Sequence, residues 1–329
     1  MPEPIVIVED LKVYFYTYAG VVRAVDGVSF EIYEGETFCI VGETGCGKSV
    51  TSRALTKLID PPGRIAGGKV LFKDRSGRYI NMLELDEETL REMRGKEIAY
   101  IFQDPAAALD PLYTIGYHFI ETMRDHGTIR SNKEGIERAI ELLREVAMPA
   151  PEVRVKNYPH ELSGGMKQRA VIGIGLSNMP RLLIADEPTS YLDVSVQAQI
   201  LELLRQLKEK RGLTLLMITH DMGVVAEMCD RVAVLYAGHL AEIGPVDRIF
   251  MNPLHPYTQA LLRAVPNPTR RMLKLEPIPG NVPNLASPPP GCRFHPRCPY
   301  AMDICKRERP KMIEVEERHR VACWLYAKR

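Results

Sequence analysis

Residues 37–58 read TFCIVGETGCGKSVTSRALTKL. Thr37 to Val41 form a short apolar run broken at Gly42, the pattern of a buried central strand. Lys48 to Leu58 has helical character and stops at Pro61-Pro62-Gly63. Between them, Gly42–Ser49 (GETGCGKS) fits G-x-x-x-x-G-K-[ST] in the strand–loop–helix setting the motif requires. Gly42, Gly45 and Gly47 let backbone amides turn inward on phosphates, where a side chain would block approach. The helix start adds its positive end. Lys48 is expected on the β- and γ-phosphates of ATP, and the Ser49 hydroxyl on Mg²⁺. Glu43, Thr44, Cys46 and Val50 complete the predicted nucleotide-binding segment, with Cys46 read as filler.

Outward from this loop, the chain predicts an α/β fold. Ile5 to Val8, Lys12 to Tyr18 and Val28 to Tyr33 are rich in β-branched and aromatic residues and read as antiparallel strands. Asp86 to Met93 is a short polar helix, and Ile98 to Phe102 a strand closed by Asp104-Pro105. From Pro111 to Met179 the pattern is mostly helical, with Ile136, Ile140, Leu143 and Val146 on one face of an amphipathic stretch, Lys133 to Val146. Arg181 to Ala185 and Leu213 to Thr219 read as strands flanking a helix, Ser195 to Lys208. That alternation implies a parallel sheet with right-handed crossovers. Prolines crowd between Pro253 and Pro290, so a boundary is expected near residue 250. The predicted domains are 1–250, with a helical subdomain at about 105–178, and 251–329.

Asp186 and Glu187 follow an apolar strand directly. Ligands of open parallel sheets bind beyond the carboxyl ends of the strands, so these acids arrive where phosphates are expected. Adjacent carboxylates point in different directions and can take two roles. Asp186 is expected to hold Mg²⁺, and Glu187 to polarise the attacking water as general base. His220 ends the next strand and is a candidate contact to the γ-phosphate.

Leu162 to Arg169 (LSGGMKQR) resembles the LSGGQ-type signature of ABC ATPases. The resemblance implies a P-loop NTPase (RecA-like) core with an antiparallel β subdomain and a helical subdomain. It also implies ATP sandwiched between two subunits, with Ser163, Gly164, Gly165 and Gln168 facing the γ-phosphate held by the partner. A serine and two glycines at a helix start present a hydroxyl, bare amides and a dipole to an anion. Gln103, in IFQDP, resembles the Q-loop glutamine that senses Mg²⁺ and touches the membrane subunits. Ser190-Tyr191-Leu192-Asp193 is similar to the D-loop S-A-L-D, with Tyr191 in place of alanine and Asp193 retained. Tyr18, or failing it Tyr16, is expected to stack on adenine, and either could instead be a strand core residue.

The tail resembles the C-terminal extension of oligopeptide/dipeptide importer ATPases. It runs AGHLAEIGPVDRIFMNPLHPYTQALLRAVP, then IPGNVPNL, PPPGCRFHPRCPYAMDIC and HRVACW. The function implied is ATP-driven uptake of oligopeptides or dipeptides, or of sugars in a related system. The partners implied are two membrane permeases, a second ATP-binding subunit that is a related but different chain, and indirectly an extracytoplasmic substrate-binding protein. Cys292, Cys298, Cys305 and Cys323 have the spacing C-x5-C-x6-C-x17-C. Four thiolates suit a metal, and the lack of a C-x2-C knuckle favours a 4Fe-4S cluster over zinc. His295 and His319 could substitute as ligands, with solvent exposure expected for both.

Composition bounds the rest. Lys plus Arg number 43 against 42 Asp plus Glu, so no global field draws in nucleic acid. No apolar run approaches the roughly 18–20 residues that span a bilayer. The expected location is the cytoplasmic face of the cell membrane, docked on other chains' helices. The alternative is a non-transport ABC ATPase acting on DNA or ribosomes. Against it stand an interval of about 115 residues between phosphate loop and signature without sustained heptads, and a single cassette in the chain.

Overall fold

The computed structural model describes residues 3–264 and 278–327, so the part of the proline-rich stretch at 265–277 lies outside the described residues. The chain divides into two compact units, Met1–Leu83 with Ile218–Arg329, and Glu84–Met217.

In the first unit, β1 (Pro4–Thr17) and β2 (Gly20–Tyr33) pair as a long antiparallel hairpin. The two predicted N-terminal strands are thus one, interrupted by a bulge. Asp10 takes a positive φ of 48°, and the register slips between Val8 and Leu11. The extra residue switches parity, so Val6 and Val8, then Leu11 and Val13, all face the core. Between this hairpin and the next strand runs β3 (Thr37–Val41), every residue of which is buried. Helix α1 (Lys48–Leu55) follows, three residues shorter than expected because Lys57 turns to φ 56°. Strand β4 (Gly63–Lys73) pairs with β1, and β5 (Tyr79–Asn81) with β4, in the order β2-β1-β4-β5.

The second unit opens with α2 (Glu87–Lys96), capped by Asp86, and β6 (Ile98–Ile101). The predicted helical stretch holds α3 (Ile115–Asp125), α4 (Asn132–Glu145), α5 (Pro151–Arg154) and α6 (Gly164–Gly175). Of the predicted α4 stripe, Leu143 and Val146 are buried while Ile136 and Ile140 are half-buried. Strand β7 (Leu182–Asp186) runs parallel to β6, Ile98 opposite Leu182 and Ile101 opposite Ala185. Helix α7 (Val194–Arg211) leads to β8 (Thr214–Thr219), within which the chain returns to the first unit.

There, α8 (Met222–Met228) precedes β9 (Arg231–Tyr236) and β10 (His239–Pro245), then α9 (Val246–Met251) and α10 (Pro256–Arg263). β9 is parallel to β3 and antiparallel to β10. A disulfide joins Cys39 in β3 to Cys229 at the end of α8.

Two short strands near the C-terminus carried no periodic signal. β11 (Ile313–Glu316) and β12 (His319–Val321) extend the first unit's strands in the order β11-β12-β10-β9-β3. The tail is therefore part of the unit's sheet. Arg293 pins it further, donating to Asp26 Oδ2 at 2.5 Å and to the Ala237 carbonyl. Arg309 donates to the carbonyls of Asp26 and Gly27 at 2.8 and 2.9 Å. Among the described residues, no helix is long and apolar enough to cross a membrane.

Candidate functional site

The phosphate loop leaves β3 at Val41. A Cβ on Gly42 would stand 2.1 Å from the Leu235 carbonyl oxygen, and one on Gly47 2.3 Å from that of Ala24. Only glycine lets the loop lie this close to the neighbouring backbone. Gly47 is also the N-cap of α1 and brings no side chain to the helix amides. Lys48, 6% exposed, donates from Nζ to the carbonyls of Gly42 (2.8 Å) and Glu43 (3.2 Å). The ammonium is thus folded over the loop it serves. Cys46 is buried and its thiol pushed up to about 11 by burial, which agrees with a filler role. Thr44 and Gly45 are exposed, and Ser49 and Val50 half-buried.

His220, exposed in the same unit, follows β8 directly and precedes Asp221, the cap of α8. Tyr18 stands fully exposed at the β1–β2 turn, and Tyr16, 49% exposed, has the Arg64 guanidinium 5.8 Å from its ring centroid. Neither is a core residue.

In the second unit, parallel pairing of β6 and β7 brings their C-terminal ends level. Asp186, 2% exposed, accepts from Tyr100 Oη at 2.8 Å. Glu187 Oε2 accepts from Gln103 Nε2 at 3.0 Å and from Ser190 Oγ at 2.9 Å. Its φ of 46° lies in the left-handed region, a strain of the kind concentrated at functional sites. Gln103 and Glu187, 84 residues apart, therefore form one constellation with Ser190. Tyr100 carries no functional signal in the sequence, because a tyrosine within an apolar strand reads as packing.

Ser163 is the N-cap of α6 and accepts from Met166 N, and it is exposed together with Gly164. Gly165 is half-buried. Gln168 is 1% exposed and turned into the unit, away from the surface that Ser163 and Gly164 present. Asp193 caps α7 by accepting from Val196 N (3.0 Å), Ser195 Oγ (2.7 Å) and Ser195 N (3.1 Å), bonds that hold its carboxyl below the ordinary range. Tyr191, the departure from the alanine pattern, is 82% exposed.

Cys292, Cys298, Cys305 and Cys323 line one small cleft of about 10 Å³, room for a single water. Burial pushes the Cys292 thiol up to about 11 and that of Cys323 up to about 12. Among the described residues, no group of three or more His, Cys, Asp or Glu side chains is arranged to hold a metal ion, so a metal-binding extension does not appear as such. His319 corrects its expected exposure. It is 0% exposed and bonded through Nε2 to Glu242 at 2.7 Å. His295 is half-buried, with Nδ1 2.9 Å from the Cys292 carbonyl.

Residues 25–190 match the family model of the ABC transporter, and residues 241–305 that of the oligopeptide/dipeptide transporter C-terminal region. The dipeptide transport ATP-binding protein DppD of Bacillus subtilis is 46% identical over 328 residues, 99% of this chain and 96% of that one. The oligopeptide transport ATP-binding protein OppD of the same organism is 47% identical over 320 residues, 97% and 88% of the two. A dimeric, post-hydrolysis structure of the ATP-binding cassette MJ0796 bound to ADP and Pi is similar with a TM-score of 0.65 at 27% identity. It covers 73% of this chain and 98% of that one. The chain belongs to the ABC transporter family, as an ATP-binding cassette ATPase. Its last third carries the C-terminal region of the oligopeptide/dipeptide transporters.

Proposed function

We propose that this chain is the ATP-hydrolysing subunit of a peptide importer, working peripherally on the cytoplasmic face with two permeases and a second ATP-binding subunit. The observation that carries this reading is the likeness along nearly the whole chain to dipeptide and oligopeptide transport ATP-binding proteins, extension included. In this reading the cassette spans residues 1–250, with helices at about 105–178 receiving the permeases, and the extension spans 251–329.

The Gly42–Val50 loop binds the ATP phosphates, and Lys48 exchanges its two loop carbonyls for phosphate oxygens. Ser49, Gln103 and Asp186 serve the Mg²⁺, the last oriented by Tyr100. Glu187 polarises the attacking water, and its bonds from Gln103 and Ser190 support that role by fixing the carboxylate. His220 contacts the γ-phosphate and Tyr18 stacks on the base. Ser163, Gly164 and Gly165 face a partner's nucleotide, where the exposed hydroxyl and the amides of α6 suit an anion. Differential affinity of ATP for the closed pair of cassettes would drive the permeases.

For the four cysteines we propose ligation of a 4Fe-4S cluster, with zinc as the alternative. Convergence of four thiols on one cleft supports it. The protein purified anaerobically is expected to contain iron and absorb in the visible; a colourless protein free of both metals rejects the proposal.

The function is tested by purifying the chain from its own membranes. Recovery with permease subunits and ATP hydrolysis stimulated by peptide-loaded binding protein are expected, and recovery with DNA or ribosomes and no permease overturns the reading. Glu187→Gln should keep ATP binding and lower turnover about 10²–10⁴-fold; steady-state hydrolysis at the parent rate removes Glu187 from its role.

A further inference from the structure

Glu43, the second residue of the phosphate loop, is gripped by the C-terminal extension in two places. Its backbone N–H donates to Tyr257 Oη of α10 at 2.8 Å. Its carboxylate accepts a fork from Arg297, Nη1 to Oε2 at 2.7 Å and Nη2 to Oε1 at 3.1 Å.

Arg297 sits in the 3₁₀ turn His295–Arg297, immediately before Cys298, and its side chain is 5% exposed. The remaining N–H groups are also used. Nε donates to the Pro279 carbonyl (2.8 Å), Nη1 to Tyr236 Oη (3.2 Å) and Nη2 to the Ile278 carbonyl (3.3 Å). All five donors of the guanidinium are therefore engaged, a geometry no lysine can reproduce. Tyr257 is 0% exposed and cannot swing away without opening the unit.

The placement has an electrostatic consequence. The Glu43 carbonyl takes a bond from Lys48 Nζ at 3.2 Å, so the Glu43 carboxylate belongs to the residue that cradles the phosphate-binding ammonium. Left without a counter-charge, it would put a negative charge, about a quarter exposed, beside a site built for a polyanion. Removal of the Tyr257 bond would free the Glu43 peptide to rotate. We propose that Arg297 is a positioning residue of the nucleotide site, cancelling the Glu43 charge and holding its carboxylate while Tyr257 fixes its peptide, so that the cysteine-bearing extension sets the phosphate loop's affinity for a nucleoside triphosphate.

The proposal rests on residues 42–49 binding phosphates, which Lys48→Ala tests separately. If that variant binds a fluorescent ATP analogue as well as the parent does, the loop assignment itself falls. Within the full-length protein, Arg297→Met is expected to weaken analogue binding about tenfold, with a smaller loss in 0.5 M salt than at low ionic strength. The double variant Arg297→Met/Glu43→Gln is expected to return to within about threefold of the parent, because the uncompensated carboxylate is gone. A purely structural role for Arg297 would give no such recovery. Binding by folded Arg297→Met within twofold of the parent overturns the proposal, as does a loss that persists in the double variant. Should Arg297→Met not fold, Arg297→Lys keeps the charge without the fork. It is then expected to bind at least threefold more tightly than Arg297→Gln, which loses the charge as well, and equal binding by the two overturns the proposal.

Discussion

Glu242→Ala tests whether the extension is held by one buried carboxylate. Glu242, in β10, is 0% exposed and accepts three hydrogen bonds. They come from Leu254 N and His255 N at 2.8 Å each and from His319 Nε2 at 2.7 Å. The first two fix the entry to α10, whose first turn is capped by His255 Nδ1 accepting from Tyr257 N at 3.0 Å. The third ties β12 to β10. Alanine leaves two backbone N–H groups and an imidazole without their acceptor, at about 1–3 kcal/mol each. With partial relief from entering water, a net loss of about 3–6 kcal/mol is expected. In a unit of this size that lowers the unfolding midpoint by roughly 6–24 °C. Glu242→Gln retains one acceptor oxygen but turns an amide toward a donor, and should fall between parent and alanine. Differential scanning calorimetry gives the stability, and limited proteolysis with mass spectrometry shows whether the region after residue 250 becomes cleavable. A loss below about 1 kcal/mol with the tail still protected would refute the reasoning.

Acid lability should come from two buried imidazoles. His239, with Asp26 3.5 Å away and Arg293 nearby, is held down to about 4 by burial, and so is His255. Between about pH 6.5 and 4 the unfolded chain binds protons the folded chain refuses, so stability falls as pH falls. The slope is at most about 1.4 kcal/mol per pH unit for each histidine. Asp26, held far below its ordinary value by the His239 bond first and then by Tyr14 and Arg293, adds a loss at still lower pH. Urea midpoints should drop between pH 7 and 5, and His239→Gln should flatten that slope; equal midpoints at the two pH values would reject the account. The Cys39–Cys229 bond spans 190 residues of sequence, for which loop-closure entropy predicts about 5 kcal/mol. Reductant, or Cys229→Ala, should lower the unfolding midpoint accordingly, and peptide mapping without reductant should recover the cross-linked pair. Identical midpoints with and without reductant would sink that estimate.

What the sequence determined by itself is the part of the molecule written in local patterns. The loop at Gly42–Ser49, the strands Thr37–Val41 and Leu182–Asp186, and the helix starts at Lys48 and Gly164 follow from short-range backbone physics. Alternation, helical periodicity, glycine and capping residues act within a few positions, so they can be read without the fold. The bulge at Asp10 was not legible, because a parity switch resembles two strands until their partner is seen. Nor were β11 and β12, whose three or four residues have too short a period to register.

Tertiary structure alone decided which side chains meet. The bond from Gln103 to Glu187 needed β6 and β7 in parallel register, and His319 became a buried partner of Glu242 only once β12 joined β10. Arg297 grips Glu43 across 254 residues of chain. No spacing rule encodes such a contact, since it depends on how the extension docks, and docking is set by buried pairs that have no sequence period. The phosphate loop could thus be read at first sight, while the hand that holds its second residue became visible only in the fold.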